Sequence, residues 1–465
     1  MTVARGATAN PLRLVGDDLA VPCVDGVDRP YVSLDAAAST GALPAVAEAV
    51  ADFLPGYSSV HRGAGWKSQH ATAAYEEARL AMLGFAGRNG GDDVAIICRN
   101  TTEAINHLAY RLQLSPDDVV VTTVAEHHAN LLPWRRVATC RYVECDRDGI
   151  FDADAVATAL DVWPAPRLLA ITGATNVTGW MPPLDAIIEA AHARQVPVLV
   201  DAAQLAPHRP LPPAADFIAW SGHKMYAPFG AGVLIGPRAT FEEGDPFLAG
   251  GGAVDLVDLD EVLWTDPPDR EEAGSPNVIG AVALAAAIGA FGELGWETVV
   301  AHDVVMTEHL HRGLRAIDGV RVLGPPAGER SLPVASFVVE GVPHALVAAR
   351  LSAEHGVGVR HGCFCAHPYL LRLLDLSAEE IAAFQDAVRR GDRREIPGAV
   401  RASAGLSTTG DEIDRFLAAL AAIAAGDPAP VTYRQDPNTG DYWPEVGSGP
   451  WSSDDRILGA SCARG

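Results

Sequence analysis

The sequence predicts an α/β fold with a mostly parallel β-sheet, and three observations support this prediction. Short apolar runs rich in β-branched residues alternate with segments whose apolar residues recur at helical spacing. The runs are apolar on both faces, as strands buried inside a parallel sheet are. The alternation of strand and helix is typical of units in which each helix crosses over the sheet. The predicted strands are VAIIC (94–98), VVVTT (119–123), RLLAIT (167–172), VPVLVD (196–201), DFIAW (216–220) and AGVLIG (231–236).

Composition limits the classes of function that this chain can have. Of its 465 residues, 48% are hydrophobic and 20% are charged, which is enough apolar material for a large core. Asp and Glu outnumber Lys and Arg by 59 to 35, giving a formal net charge of −24. Such a surface repels phosphate backbones and anionic lipid, so we expect neither a nucleic acid nor a membrane as partner. We recognise no secretory signal and no apolar run of roughly 18 residues, which favours a cytoplasmic location.

Four regions are expected along the chain, and they differ in composition and pattern. A long helical pattern at about 277–317 follows a loop-rich stretch, and the composition after about 426 shifts to Pro, Asp, Gly and Ser. Aromatic residues in this tail offer a way of docking it on the body, and a loose tail is the alternative. The expected regions are an N-terminal segment (1–30), a large α/β domain (31–290), a smaller α+β domain that includes part of the N-terminal segment (291–425) and an extended C-terminal tail (426–465).

Two charged residues lie where predicted parallel strands end. Lys224 follows the strand 216–220 among small residues. Because a buried amine is costly unless it is paired or neutralised, a lysine here suits a Schiff base with a carbonyl cofactor, with a surface loop lysine as the alternative. Asp201 ends the strand 196–201, at the edge of the sheet where ligands bind in open α/β folds. Its carboxylate suits a protonated pyridine nitrogen, and a helix N-cap is the alternative.

A candidate phosphate site lies at the start of the predicted helix in NTTEAINHL (100–108). Free backbone N–H groups and the helix dipole at such an N-terminus attract phosphate. Thr101 and Thr102 are therefore candidate phosphate ligands, with ordinary threonine capping as the alternative. Ser221 and His223, beside the candidate lysine, offer further hydrogen-bond donors.

Three further segments carry candidate residues. In EHHANLLPW, His127 suits stacking on a flat heteroaromatic ring, and Asn130 adds a polar group. In VRHGCFCAHP, Cys365 has arginine and histidine neighbours, whose positive charge favours a thiolate; two buried structural cysteines are the alternative. Arg401, in VRASAGL, suits a two-point grip on a carboxylate. The cysteine spacing does not complete a zinc site, so no metal ion is expected.

These segments together resemble one family of enzymes. The chain resembles the class V aminotransferases, fold-type I pyridoxal-phosphate enzymes, and within them the Suf-type (group II) cysteine desulfurases and selenocysteine lyases. The resemblance implies a large mostly parallel-sheet domain, a smaller α+β domain and pyridoxal 5'-phosphate as cofactor. It rests on YVSLDAAAS, YSSVHRGAG, NTTEAINH, EHHANLLPW, ATNVTGW, VDAAQ, SGHKMYAPFGAG, EAGSPN, RHGCFCAHP and VRASAGL, in this order between about residues 31 and 424.

The resemblance also implies how these residues hold the cofactor. Lys224 is the expected Schiff-base lysine, Asp201 the partner of the pyridine nitrogen and His127 the stacking residue. Ser275 is expected to contact the phosphate bound by the other subunit, which implies a homodimer. The other expected cofactor contacts are Thr101, Thr102, Asn176, Ala203, Gln204, Ser221 and His223.

For the reaction, the resemblance implies that the sulfur of L-cysteine moves to Cys365 as a persulfide and that alanine is released. Lys224 is expected to remove the substrate's α-proton. Arg401 is expected to bind the substrate carboxylate, with Arg360 and Asn130 also at the substrate. A small amino acid is thus the implied substrate, and a sulfur-acceptor protein is a further implied partner.

Three features of the chain keep a second reaction open. Cys363 and Phe364 stand where the group II pattern has two histidines. VHRG is followed by AGWKSQH (64–70), where the group II pattern has another histidine. About 20 extra residues lie between the Cys365 loop and Arg401, and a tail of about 40 residues follows the last motif. Another pyridoxal-phosphate reaction on the same scaffold is therefore the alternative: a C–S lyase (β-elimination), an epimerase or an aminotransferase.

Overall fold

The computed structural model of the chain describes residues 12–328, 330–446 and 451. Among them, the α-helices are α1 (Pro44–Phe53), α2 (Trp66–Phe85), α3 (Thr101–Arg111), α4 (Trp134–Val137), α5 (Ala153–Asp161), α6 (Leu184–His192), α7 (Val278–Leu294), α8 (Trp296–Arg315), α9 (His344–His355), α10 (His367–Leu373), α11 (Ala378–Arg389) and α12 (Gly410–Ala424). Short 3-10 turns lie at Leu54–Gly56, His128–Asn130, Gly222–Lys224, Arg238–Phe241 and Asp269–Glu271.

The strands belong to one large sheet, one smaller sheet and several two-stranded pairs. They are β1 (Ala20–Pro22), β2 (Asp28–Pro30), β3 (Val32–Ser33), β4 (Asp93–Cys98), β5 (Val119–Thr123), β6 (Thr139–Val143), β7 (Leu168–Thr172), β8 (Val198–Asp201), β9 (Phe217–Ser221), β10 (Gly232–Pro237), β11 (Val254–Val257), β12 (Val262–Trp264), β13 (Val320–Val322), β14 (Val334–Val339), β15 (Val357–Gly358), β16 (Arg360–Gly362), β17 (Ala399–Ser403), β18 (Tyr433–Gln435) and β19 (Tyr442–Pro444).

A seven-stranded sheet in the order β4-β10-β9-β8-β7-β5-β6 forms the centre of the larger unit. β10 runs antiparallel to both of its neighbours, and the other pairs are parallel, which confirms the predicted mostly parallel sheet. Every residue of β5, β7, β8 and β9 is buried, which explains why these runs are apolar on both faces. β6 was not predicted, because exposed polar residues interrupt its apolar pattern at the edge of the sheet.

Helices cover both faces of this sheet. On one face, alternate strand residues such as Leu169 and Val200 pack with α1, α2, α5, α6 and α7. On the other face, their neighbours such as Leu168 and Leu199 pack with α3 and Trp134. The two faces therefore have separate apolar layers, and the ends of the strands are left for the connecting loops.

The predicted long helix at about 277–317 is two helices that meet at an angle of 85°. Gly295 separates them with a φ of +77°, a left-handed conformation that side chains disfavour. α7 packs on the large sheet, whereas α8 packs in the core of the smaller unit. Within the described residues, neither helix is long and apolar enough to cross a membrane alone, although the bent pair together reaches that length and composition.

The smaller unit is an antiparallel sheet in the order β13-β14-β17-β16, packed against α8, α9 and α12. The N-terminal strand β3 pairs in parallel with β15, so part of the N-terminal region packs with this unit. Arg360 on β16 lies directly opposite Arg401 on β17. The register of this sheet therefore brings together two arginines that are far apart in the sequence.

The described part of the predicted C-terminal tail is ordered rather than loose. β18 and β19 form an antiparallel hairpin beside α9. The hairpin is bound to the end of the inserted region before Arg401: the backbone N–H of Arg393 donates to the carbonyl of Pro437 at 3.0 Å, and Gln435 Nε2 donates to the carbonyl of Arg394 at 2.8 Å. The extra residues before Arg401 and the extra residues at the C-terminus thus pack against each other.

Candidate active site

Four neighbouring parallel strands end at the same edge of the large sheet, and the predicted site residues follow these ends. His127 comes shortly after β5 and Asn176 shortly after β7. Asp201 is the last residue of β8, and Lys224 ends the 3-10 turn that follows β9. Because the carboxyl ends of parallel strands meet at one edge, side chains widely separated in sequence gather in one place.

Lys224 and Asp201 have the electrostatics expected of a cofactor-binding pair. Burial lowers the pKa of Lys224 to about 8, although the Asp201 carboxylate acts in the opposite direction. Burial raises the pKa of Asp201, whose Oδ1 accepts a hydrogen bond from the backbone N–H of Ala203 at 3.0 Å. Near neutral pH a fraction of the lysine is therefore unprotonated, the form in which an amine acts as a nucleophile or a base.

His127 is uncharged and fixed in one tautomer. Its Nδ1 accepts a hydrogen bond from the backbone N–H of Ala129 at 3.0 Å, so the ring proton lies on Nε2. Burial, with a further contribution from the nearby charge of Lys224, lowers the pKa of His127 to about 3. A neutral imidazole suits the predicted stacking on a flat heteroaromatic ring.

The predicted phosphate site is built at the N-terminus of α3. Ser221 Oγ accepts a hydrogen bond from the backbone N–H of Thr101 at 2.8 Å and lies 2.6 Å from the Thr101 hydroxyl. Thr102 is exposed in the first turn of the helix. Gly232 permits this arrangement, because a Cβ there would lie 2.5 Å from Cα of Asn100, the residue that caps α3. His223 is adjacent, and burial lowers its pKa to about 4.

Asn176 and Gln204 are both buried beside this edge of the sheet. Asn176 Nδ2 donates to the carbonyl of Phe364 at 2.7 Å, while its Oδ1 is buried and has no partner among the described residues. Gln204 Nε2 donates to the carbonyl of Ala37 at 2.6 Å. An unpaired buried amide oxygen is costly, so the site favours a ligand with a polar group at that point.

Two arginines face one carboxylate on the other side of the site. Arg401 Nη1 donates to the carbonyl of Asn176 at 2.8 Å, and Nη2 donates to Asp35 Oδ1 at 3.2 Å. Arg360 forms an ion pair with the same Asp35 at 3.1 Å. Like charges directly opposite in a sheet repel each other, and Asp35 offsets this repulsion. Asp35 was not predicted as a site residue, although it lies within the motif YVSLDAAAS.

Cys365 is exposed at the end of a tight turn whose backbone is strained. The N–H of Ala366 donates to the carbonyl of Cys363 at 3.0 Å, and the two residues between them, Phe364 and Cys365, have φ values of +55° and +54°. For a residue with a side chain, the left-handed region costs roughly 1–2 kcal/mol. Such a conformation persists only where surrounding contacts hold it, and it is found mainly at functional sites.

The contacts that hold this turn come from the rest of the site. The backbone N–H of His128 donates to the carbonyl of Cys365 at 2.7 Å, and Asn176 holds the preceding carbonyl. The Phe364 ring is buried, with the guanidinium carbon of Arg401 5.0 Å from its centroid. A desolvated cation–π contact of this kind contributes about 2 kcal/mol. Lys224 and Arg401 lie near enough for the Cys365 sulfur to affect their pKa values.

A buried acid behind His127 was also not predicted. Glu126 accepts hydrogen bonds from Asn130 Nδ2 at 2.8 Å, the Thr123 hydroxyl at 2.8 Å and the Thr172 N–H at 3.0 Å. The amide oxygen of Asn130 accepts from Trp134 Nε1 at 3.1 Å. Asn130 is fully buried in this network, so the geometry supports a role in holding the loop that carries His127. The structure gives no support to its predicted contact with substrate.

We expect Glu126 to make stability depend on pH. Burial raises its pKa to about 8, above the unfolded value near 4.5, so its contribution to stability is complete below pH 4.5 and is lost as the pH rises through 8. Glu126→Gln carries no such titration. The free energy of unfolding in urea should therefore fall by about 4 kcal/mol more in the wild type than in the variant between pH 5 and pH 9. Equal pH dependence in both proteins would contradict this assignment.

Ser275 lies at some distance along the chain, in the loop that precedes α7, and is exposed. The loop is fixed at Glu272, which accepts from Arg79 Nη1 at 2.7 Å and from the N–H of Ile97 at 2.6 Å. Asn277 Nδ2 donates to the carbonyls of Phe229 and Gly230, which follow the Lys224 turn. The contact of Ser275 with another subunit stays a prediction. The loop that carries Ser275 is held in place by the contacts of Glu272 and Asn277.

Taken together, the residues present fit pyridoxal phosphate. The partly neutral lysine suits the aldehyde of that group, the buried carboxylate suits its pyridine nitrogen, and the neutral imidazole suits its ring face. The unpaired amide oxygen suits the ring hydroxyl, and the helix N-terminus suits the phosphate. The small residue Ala203 lies beside Asp201, as expected for close approach of a ring. Arg401 and Cys365 add a carboxylate site and a thiol beside it.

Comparison with known proteins agrees with this arrangement. The model of the family "Aminotransferase class-V" matches residues 32–416. A curated cysteine desulfurase from Haloferax volcanii is 34% identical over 385 residues, covering 80% of this chain and 89% of the relative. A cysteine desulfurase from Dickeya dadantii is 34% identical over 405 residues, covering 84% of this chain and 92% of the relative.

Solved structures give the same result. The apo structure of a cysteine desulfurase from Thermococcus onnurineus superposes with a TM-score of 0.76 at 30% identity, covering 85% of this chain and 95% of that one. The S-sulfonic acid form of a cysteine desulfurase from Escherichia coli has a TM-score of 0.72 at 30% identity, with the same coverage. These neighbours share the predicted fold class.

Proposed function

Because this chain belongs to the class V aminotransferase family, we propose that it is a pyridoxal-phosphate-dependent cysteine desulfurase. It moves the sulfur of L-cysteine to Cys365 and releases alanine. The observation that carries this proposal is the exposed thiol on a strained turn that is held by Asn176 and His128 and packed against Arg401. The relatives named as cysteine desulfurases support it over most of the chain.

The strand ends of the large sheet would hold the cofactor. Lys224 would bind its aldehyde, Asp201 its ring nitrogen and His127 its ring face. Bound there, pyridoxal phosphate supplies an electron sink for charge that develops at the substrate α-carbon. Asn176 and Gln204 would lie near the ring hydroxyl, and the phosphate would be held by Thr101, Thr102, Ser221 and His223.

The chain's own residues then bind the substrate and move the proton. Arg401 binds the substrate carboxylate, with Arg360 opposite it on the neighbouring strand. Both arginines already contact the Asp35 carboxylate, so the substrate carboxylate must share these arginines with Asp35 or replace it. Lys224 Nζ, whose pKa is about 8, takes the proton from the substrate α-carbon in its unprotonated form.

Sulfur transfer follows from the position of Cys365. Its deprotonated Sγ attacks the substrate sulfur, so that an S–S bond forms while the substrate Cβ–S bond breaks. The electron pair of the broken bond stays with Cβ, which takes up a proton, and the α-carbon regains the proton that Lys224 removed, which gives alanine. The products are alanine and a persulfide on Cys365, with no external oxidant or reductant.

The proposal includes a homodimer, a sulfur acceptor and a cytoplasmic location. The fixed loop carrying the exposed Ser275 supports a contact with a second subunit's phosphate. The exposure of Cys365 supports delivery of sulfur to another thiol.

The test is to locate the transferred sulfur. Cofactor-loaded protein is mixed with one equivalent of L-cysteine without reductant, alkylated, digested and analysed by mass spectrometry. We expect one equivalent of alanine and one added sulfur atom on the peptide that carries Cys365. Pyruvate and free sulfide with an unmodified Cys365 would instead assign β-elimination, the alternative reaction on this scaffold.

A further inference from the structure

The turn that carries Cys365 is joined to the carboxylate-binding arginine by one aromatic ring. Two of the contacts that hold the turn reach only backbone carbonyls, those of Phe364 and Cys365. The third is the Phe364 side chain, which is 6% exposed and lies against the guanidinium of Arg401. The Phe364 ring is thus the part of the turn that contacts the Arg401 side chain directly.

Arg401 in turn is bound on its other sides. Its Nη1 donates to the carbonyl of Asn176, and the Nδ2 of the same asparagine donates to the carbonyl of Phe364. Its Nη2 donates to Asp35, while its Nε is buried without a partner among the described residues. Arg401, Asn176 and Phe364 therefore form a closed ring of contacts around the base of the turn.

We propose that Phe364 is a positioning residue that couples the carboxylate site at Arg401 to the placement of the Cys365 thiol. The effect of this coupling on catalysis rests on the proposed function, because sulfur transfer needs the Cys365 thiol to be placed against a substrate that is held by its carboxylate. The strained φ values of Phe364 and Cys365 are the reason that placement depends on this contact. Without the ring stacked on Arg401, the turn relaxes, and the already exposed thiol reaches more orientations that are open to a reagent.

A double-substitution cycle on cofactor-loaded protein tests this coupling without using desulfurase activity. The readout is the rate of alkylation of Cys365 by iodoacetamide, measured by mass spectrometry on its own peptide. The variants are Phe364→Leu, Arg401→Lys and the two combined. Leucine removes the ring but stays apolar, and lysine keeps the positive charge but loses the flat guanidinium.

We expect each single substitution to raise the alkylation rate about tenfold and the combined variant to match the single ones. Independent effects would multiply to about a hundredfold in the combined variant, and that result would overturn the coupling. So would an alkylation rate for Phe364→Leu within about twofold of the wild type. Phe364→Tyr, which keeps the ring face, should restore the wild-type rate.

Two further measurements distinguish the positioning role of Phe364 from a purely structural one. Thermal unfolding of each variant checks the fold, and Phe364→Met, which has no ring but a similar volume, decides the matter if the leucine variant unfolds. In the desulfurase assay, Phe364→Leu should lower kcat about tenfold and change KM less than threefold, because Arg401 keeps its contacts with Asn176 and Asp35. If the wild type forms no persulfide, the proposed function fails, while the alkylation cycle still decides the coupling.

Discussion

Replacing Lys224 by alanine is expected to lower turnover of L-cysteine by roughly 10²–10⁴-fold or more. The lysine is the amine whose pKa burial brings down to about 8, and it lies at the strand edge that also presents Asp201 and His127. Its loss removes both the covalent attachment of the cofactor and the base that takes the α-proton. Turnover and pyridoxal phosphate absorbance are the two quantities to measure.

The composition of the chain makes this experiment unusually clean. The sequence contains only two lysines, Lys67 and Lys224. Borohydride reduction of the loaded wild type should place the cofactor on the Lys224 peptide alone, and Lys224→Ala should give no modified peptide. Lys67→Ala, at an exposed position, should keep both labelling and turnover. Labelling that persists in Lys224→Ala would contradict the assignment.

Replacing Cys365 by alanine is expected to abolish persulfide formation and to lower alanine production by roughly 10³-fold or more. The thiol is the acceptor of the substrate sulfur, and nearby groups do not substitute for it: burial raises the pKa of Cys363, which disfavours its thiolate. The variant should still hold pyridoxal phosphate, because Cys365 lies outside the strand edge of the large sheet. Alanine, sulfide and the cofactor spectrum are measured together.

Cys363→Ala is the matched control for that experiment. It removes the other thiol of the same turn and leaves the carbonyl that accepts from Ala366 in place. We expect persulfide on Cys365 and at least about half of the wild-type turnover. A loss of turnover in Cys363→Ala that equals the loss in Cys365→Ala would show that both sulfurs take part. Full turnover in Cys365→Ala would remove the desulfurase mechanism altogether.

The large sheet was predictable because its strands are buried on both faces and therefore consist of unbroken apolar runs. The strand ends in turn located Lys224 and Asp201, since ligands of such sheets gather there. The break at Gly295 was not predictable in the same way. A single glycine inside a helical pattern is usually tolerated, and only the packing of α7 and α8 on different cores shows that the chain turns there.

The roles of two residues of the site could not be predicted from the sequence for a different reason. Asp35 is 366 positions from Arg401, and no local pattern signals a contact over that distance. Phe364 takes a left-handed conformation that the sequence would assign to glycine or asparagine. Its role depends on a ring stacked against an arginine from another strand, which is a property of the folded chain alone.

Arg360 and Arg401, which lie opposite each other in the small sheet, also come late in the order in which the site residues are synthesised. His127, Asn176, Asp201 and Lys224 have all emerged before the halfway point of the sequence, whereas the two arginines and Cys365 follow more than a hundred residues later. A nascent chain, or one truncated before β16, therefore has Lys224 for the cofactor aldehyde but lacks Arg360, Arg401 and Cys365. Of the residues proposed for the reaction, those that bind the substrate carboxylate and accept its sulfur are therefore synthesised last.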